Sequence, residues 1–418
     1  MSYIDKLILL TFPFMDVGFI IYGIPLRIGE LTFLLFFLRS LDLRTTKIHK
    51  VGLIIVLLLG INLIHVISIK YFTTVDNTFF FKYIFRNTLY LFAIVSFVLK
   101  PIKYDEIKFN FFIKYILWIV SIFYLIEFID FYLISFNWGE LVFVSRQEKS
   151  IFNDFIIRFA GPSSEPAYII PLLSIPLIYG MFKRKFEYVV ISMILMLLAF
   201  SSFGYLVILF SIIFLFNSIT DRRFKQKAKK ILYLSLTSIF LVALVFAQKT
   251  SQVIAYNWLK LKAYVGIGDS YEWSASQRMG HIKLALDMFI ESSWYNMLFG
   301  NGTGFYSKMS KEFTKFYLDD AEEAHNLYVS TLTDRGVIGL SLLILLFYII
   351  IKIKIPKEVT GDFRYFFMAI KFSVLVRMIH WFFTGMLWQY YFWAEVAILI
   401  SASTYYIKIS NERRKNRV

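Results

Sequence analysis

The chain of 418 residues contains no cysteine, which excludes disulfides, thiolate zinc sites, iron–sulfur clusters and cysteine nucleophiles, whichever compartment its loops face. Charge is also scarce. Asp, Glu, Lys and Arg make up 18% of the residues, where soluble domains carry about a quarter. The sequence has neither an internal repeat nor a low-complexity linker, so nothing divides residues 1–418 into separate units. What fills the chain instead is apolar: 58% hydrophobic and 20% aromatic residues, with a mean hydropathy of +0.63. Apolar runs of about 20 residues mark membrane spans. The expected fold class is therefore all-α, a single polytopic membrane domain.

The net charge of +16 and the pI near 9.6 would point to nucleic acid in a soluble protein. Here the basic residues stand in short clusters between apolar runs. They are Arg39 to Lys50, Lys100 to Lys108, Lys183 to Lys185, Arg222 to Lys230, Lys352 to Lys357 and Arg413 to Arg417. That is the pattern of Lys and Arg holding short loops in the cytoplasm, and no basic, stacking-rich module for nucleic acid accompanies it.

Between the clusters lie about twelve apolar segments of spanning length or somewhat less, at 7–25, 28–40, 51–70, 79–99, 110–134, 166–181, 186–200, 204–219, 231–248, 336–353, 363–384 and 386–408. The clusters follow every second segment, which puts both termini in the cytoplasm. The first segment carries Pro13 and Asp16 and has no small-residue cleavage site, so it reads as a retained span. Two outward segments, 135–165 and above all 249–335, are long enough to carry chemistry. In the larger one, Ser276 to Glu291 places Ile282, Leu286, Phe289 and Ile290 on one helical stripe, and Asp320 to Thr333 opens with acidic residues where a helix dipole favours them.

The first outer segment ends Arg158-Phe-Ala-Gly161-Pro162-Ser-Ser164-Glu165-Pro166. Ser163 or Ser164 can cap the following helix, with Glu165 and Pro166 suited to its first turn. The alternative is that the Gly-Pro turn brings Arg158 back to the membrane mouth. In the second segment, Leu298-Phe-Gly300-Asn-Gly302-Thr-Gly304-Phe305 lacks the Lys-Ser/Thr and the preceding strand of a phosphate loop, and reads as a turn between two cap helices. His325 is expected one turn into a helix, three residues after Glu322. An imidazole there can be oriented and made more basic by that carboxylate, or can be structural. The acidic run Asp319, Asp320, Glu322, Glu323 lacks the spacing of a calcium loop, and no metal site is assigned to it.

Ionisable residues inside spans are functional candidates by default. Lys82 and Arg86, Arg377 and His380, and Arg27 all fall towards the outer ends of their spans. Together with Arg158 and Arg278 they either line a cationic pocket for a phosphate or pyrophosphate, or snorkel one by one to the headgroups.

Three stretches, in order, resemble the bacterial O-antigen polymerase and O-antigen ligase superfamily. They are Arg158-Phe-Ala-Gly161 leading to Glu165-Pro166; Ser276-Gln-Arg278 followed by the amphipathic helix and the glycine string; and Ala324-His325-Asn326-Leu-Tyr328 with Asp334-Arg335-Gly336 and Gly339. One departure is Ser201-Ser202-Phe203-Gly204, where relatives often carry a Ser-Arg turn. The resemblance implies a metal-independent, inverting glycosyltransferase of the bacterial inner membrane. It would use undecaprenyl-pyrophosphate-linked oligosaccharides and no nucleotide sugar or other cofactor, with membrane lipid and a chain-length regulator protein as partners. His325, oriented by Glu322, would be the base, with Glu165 as the alternative. Arg158, Arg278, Arg377 and Arg86 would hold the pyrophosphate. Polymerase is favoured over ligase because the ligase pattern is matched only loosely, and a transporter of about twelve spans is the competing class.

Overall fold

The structure, a computed structural model, describes residues 3–14, 17–21, 24–29, 50–72, 77–101, 109–134, 150–151, 156–157, 159–163, 165–199, 201–218, 273–313, 324–355, 359–382, 384 and 390–415. It is helical, with two short antiparallel strand pairs. The helices are α1 (Tyr3–Thr11), α2 (Lys50–Phe72), α3 (Asn77–Leu99), α4 (Phe109–Ile129), α5 (Ile169–Lys183), α6 (Phe186–Leu198), α7 (Ser202–Ser218), α8 (Trp273–Ile290), α9 (Trp294–Phe299), α10 (Phe305–Phe313), α11 (Leu327–Ile351), α12 (Asp362–His380) and α13 (Tyr390–Lys415). The pairs are β1 (Gly18–Ile21) with β2 (Ile24–Arg27), and β3 (Ser150–Ile151) with β4 (Ile156–Ile157).

Among the described residues, three stretches are long and apolar enough to cross a membrane, Lys50–Ile69, Phe109–Leu133 and Leu327–Ile351. Tyr83–Leu99, Ile169–Lys183, Phe186–Leu198 and Phe203–Ile212 are apolar but shorter. Most of the expected segment 28–40 and all of 231–248 lie outside the described residues. The expected first span is not one helix. It is helical only to Thr11, ahead of Pro13, and Gly18 to Arg27 then fold back as the β1–β2 pair. Proline interrupts helical hydrogen bonding, and the Ile-rich, glycine-flanked run that follows favours strand pairing over helix. The fold is thus helical but not all-α throughout.

The helices differ in how they meet their surroundings. Side chains from Tyr391 to Thr404 of α13 and from Tyr168 to Met181 of α5 are buried on every side, the condition of a helix inside a bundle. α12 packs heavily on α5 and also on α13, and α13 reaches α3. By contrast α2, α4 and α6 leave Ile64, Trp118, Leu125 and Ile194 exposed, which are the apolar faces a bilayer would cover. On the face bearing Arg184 and Lys352, Lys183 of α5 pairs with Asp362 of α12.

The helices α8, α9 and α10 pack on α11, and the chain after α9 meets it by backbone contact. α11 is broken at Gly336, whose φ of 66° and ψ of −171° are non-helical. A Cβ on Gly336 would stand 2.5 Å from the Leu298 carbonyl oxygen, and one on Gly300 would stand 2.3 Å from the Arg335 Cα. The glycine string is therefore the means by which one backbone lies against another, and both sides of the contact need φ values that side chains disfavour. Gly336→Ala is expected to lower stability by on the order of 2–4 kcal/mol, combining steric overlap with left-handed strain. Gly60→Ala in α2, where nothing lies within 4 Å of an added Cβ, changes it by less than about 1 kcal/mol. Thermal unfolding of the two variants in detergent separates these outcomes.

Candidate active site

The lock at Gly336 is completed by Asp334. Its Oδ2 accepts the Gly304 N–H at 2.8 Å and its Oδ1 accepts the Tyr306 N–H at 3.1 Å, so a buried carboxylate of α11 caps the first turn of α10. The Gly302 N–H donates to the Asp334 carbonyl at 2.8 Å, and Asn301 Nδ2 donates to the Thr333 carbonyl at 3.1 Å. Tyr306, placed by these bonds, brings its hydroxyl to 2.6 Å from Nδ1 of His281 on α8. Burial, and secondarily the Asp334 charge, push the Tyr306 phenol up, so it stays protonated. A neutral phenol bonds Nδ1 as donor to a bare nitrogen or as acceptor from Nδ1–H, and either tautomer of His281 is held in the same place. The His281 ring then lies edge to face with His325, their centroids 5.4 Å apart.

His325 itself is not one turn into a helix. It stands just before α11 with φ 52°, because Asn326 is the N-cap: its Oδ1 accepts the N–H groups of Tyr328 and Val329 at 3.0 and 3.1 Å. Side-chain amides compete well for orphan amide donors at a helix start, so the helix begins later than the acidic residues suggested. Asn326 Nδ2 donates to the Phe382 carbonyl at 3.1 Å, and the Leu327 N–H donates to the carbonyls of Trp381 and Thr384, both at 3.0 Å. These bonds hold His325 over the end of α12. A non-glycine residue in left-handed conformation costs about 1–3 kcal/mol, and such strain gathers at functional positions. Glu322, expected to orient His325, lies outside the described residues, as do Arg158 and the rest of the acidic run.

Arg278 lies half-buried on α8, one turn before His281. Its charge and that of Arg377 both act on His380 at the end of α12, so these three positions form one neighbourhood. His380 is packed between the rings of Tyr168 and Phe203, centroids 5.5 and 4.5 Å away. Phe203 stands in the first turn of α7. Arg377 is fully buried. Its Nη2 donates to Glu395 Oε1 at 2.9 Å, its guanidinium lies 3.9 Å over the Tyr391 ring, and Ser373 donates to the same carboxylate oxygen at 2.9 Å. Arg86 is buried on α3 one turn before Tyr90, which stacks on Trp393 of α13, two residues before Glu395. Lys82 and Arg27 have no described side chains.

Glu165 sits in the turn before α5, half-buried. Neither Ser163 nor Pro166 opens the helix as expected, since α5 starts at Ile169 and Tyr168 occupies its cap without a side-chain bond. Ser163 closes a local turn, donating to the Glu165 carbonyl at 2.5 Å and accepting the Glu165 N–H at 3.2 Å. The segment is fixed by a residue sequence reading passed over. Glu127, buried near the end of α4, accepts the N–H groups of Ala160 and Gly161 at 3.2 and 3.1 Å. Glu127 and Glu395 were both legible as acids inside apolar runs, the signal that drew attention to Arg377. His281 had only its position three residues after Arg278.

Residues 188–344 match the family model described as O-antigen ligase. That stretch, less than half of the chain, holds Arg278, His281, Tyr306, His325 and Asp334 and leaves Arg86, Glu165 and Arg377 outside. Over this stretch the chain is similar to the O-antigen ligase family, in keeping with the motifs. Three of its described stretches are long and apolar enough to cross a membrane, as expected of a membrane protein. No curated protein matches the chain.

The Arg377–Glu395 pair yields a stability prediction. Glu395→Ala leaves a buried cation uncompensated and is expected to cost about 3–5 kcal/mol, whereas replacing both partners by Met recovers most of it. Unfolding temperatures in one detergent check the order: wild type and double variant close together, single variant well below.

Proposed function

We propose that this protein is a polysaccharide polymerase, a membrane glycosyltransferase that joins undecaprenyl-pyrophosphate-linked oligosaccharide repeat units on the outer face of the bacterial inner membrane, with both termini in the cytoplasm. The observation that carries the reading is the gathering of Arg278, His281 and His325 above the α12 end that bears Arg377 and His380, largely within the stretch that matches the family. An acceptor sugar hydroxyl attacks the anomeric carbon of the donor. The new C–O bond forms as the bond from that carbon to the pyrophosphate oxygen breaks, and the electron pair leaves with the lipid pyrophosphate. His325 takes the hydroxyl proton, which requires a neutral imidazole within hydrogen-bond reach of the acceptor. Arg278 faces the charge that develops on the departing pyrophosphate, where a preorganised cation is most effective. Arg377, already paired with Glu395, contributes as a fixed ion pair that shapes the floor of the site. Arg158 and Arg86 are further clamp candidates, Glu165 and Glu322 further acid–base candidates, and a chain-length regulator a candidate partner.

His281 is a positioning residue in this scheme. Held through Tyr306, it packs its ring on His325 and sets the orientation in which that imidazole meets the acceptor.

The test is an analysis of surface glycan and lipid-linked intermediates from cells lacking the gene. Core carrying a single repeat unit supports the polymerase. Long polymer left on its carrier above bare core identifies a ligase, and an unchanged profile removes both. In the purified protein His325→Ala is expected to lower the rate by about 10²–10⁴-fold and Arg278→Ala by about 10²–10³-fold, with normal membrane insertion. Full activity in both defeats the assignment. His281→Gln should move the acidic limb of the pH–rate profile, as expected if it tunes the base, while a merely structural role would scale the rate equally at every pH.

A further inference from the structure

The outer-loop helices present an apolar patch that the chemistry above does not use. Trp294 is 77% exposed and Ile290 66% exposed, and Tyr295 and Leu298 are open beside them. Beside them Ser292 donates to the Met288 carbonyl and bonds the Asn301 side chain, and Ser293 caps α9 by accepting the Asn296 N–H, so the turn is satisfied without the apolar side chains. Exposed Trp alone is unremarkable in a membrane protein. What singles out this patch is its height.

The Leu298 carbonyl and the Gly300 amide lie against Gly336, the point at which α11 begins its uninterrupted apolar run. Immediately beyond, Val337 is exposed, and Ile344, Leu345 and Tyr348 continue the open apolar surface of that span. On the other side, α2 packs on α11, and its Ile61 and Ile64 are exposed near the end of its apolar stretch at Ile69. The α9 patch thus lies beside two spans with exposed apolar side chains, at the point where α11 passes from its polar first turns to its apolar run. Trp and Tyr with an aliphatic flank are the side chains that favour the headgroup boundary, where the ring is desolvated and the N–H or O–H stays wet. A soluble partner or a second copy could also cover an apolar patch, but neither explains why it lies beside the start of the apolar run of α11.

We propose that α9 is an interfacial anchor: Ile290, Trp294, Tyr295 and Leu298 insert into the lipid headgroup boundary beside the start of the apolar run of α11 at Gly336. Because α9 is locked to Gly336 by backbone contact, the anchor fixes the height of α8 and α10, and so of the groups they carry, relative to the bilayer. The inference is independent of the reaction assigned to the site.

The absence of cysteine makes a direct test simple. Trp294→Cys, whose exposed side chain contributes little to the core, is spin-labelled in the full-length protein reconstituted in phosphatidylethanolamine–phosphatidylglycerol bilayers. Collision with oxygen and with a water-soluble nickel chelate is then compared with that of Val337→Cys and of Lys283→Cys, the latter on the exposed side of α8. An oxygen preference close to that of Val337→Cys is expected. Nickel access equal to that of Lys283→Cys overturns the proposal, and so does low access to both reagents with a short label-to-label distance, which assigns the patch to a second copy. A second measurement leaves the anchor almost intact. The fluorescence lost in Trp294→Phe should be the component quenched by lipids brominated near the headgroup, and quenching of that component by aqueous iodide instead also overturns it.

Discussion

The placing of α8, α9 and α10 on α11 depends on one backbone-to-backbone contact, the glycine string of residues 298–304 laid against the break in α11 at Gly336. Two chain segments can approach this closely only where neither carries a Cβ, and the φ values at Gly300 and Gly336 are those glycine adopts without strain. The contact also brings the amides of Gly304 and Tyr306 onto the Asp334 carboxylate, so the hydrogen bonds a loop would otherwise make with water are made within the protein. The groups these helices carry are registered through it: α10 through its capped first turn, Tyr306 through α10, His281 through Tyr306, and His325 through the start of the same helix that carries the break.

Charge inside the bundle follows a second constraint. Arg377 and Glu395 lie on different helices, both fully buried, and each is held by further partners, Tyr391 beneath the guanidinium and Ser373 on the carboxylate. Isolated, either charge would be costly in such surroundings, and paired with good geometry they become tolerable without contributing large net stability. Glu127 illustrates the same economy with backbone donors in place of a cation, capturing Ala160 and Gly161 and thereby fixing the segment that leads into α5. Among the described residues, Glu127 ties the Ala160–Gly161 turn to α4, and the Arg377–Glu395 pair ties α12 to α13.

A structural role and a chemical role coincide in several motif residues. Asn326 caps α11 and ties it to the turn after α12, which is sufficient reason for an asparagine after His325 whatever the reaction. Asp334 and the glycines have complete structural explanations. His325 is held half-buried in a left-handed conformation beside His281, and Arg278 lies half-buried where its charge acts on His380.

Composition and hydropathy were enough to point to a helical membrane protein, to locate most of the described long helices to within a few residues, and to direct attention to the segment 249–335, because backbone in lipid must hydrogen-bond within its own segment and an apolar run of spanning length therefore becomes helix. The order of Arg278, the glycine string and His325 likewise pointed to the family that residues 188–344 resemble. Tertiary structure decided what no periodicity contains: that α5 and α13 are the interior helices, that the first apolar run folds back at Pro13, that Asn326 delays the helix after His325, and that Glu395 answers Arg377 and Glu127 answers Ala160. Each of these depends on which groups meet across long separations in the chain. A buried charge or an orphan amide declares only that it needs a partner, and the packing of other segments determines which one it finds.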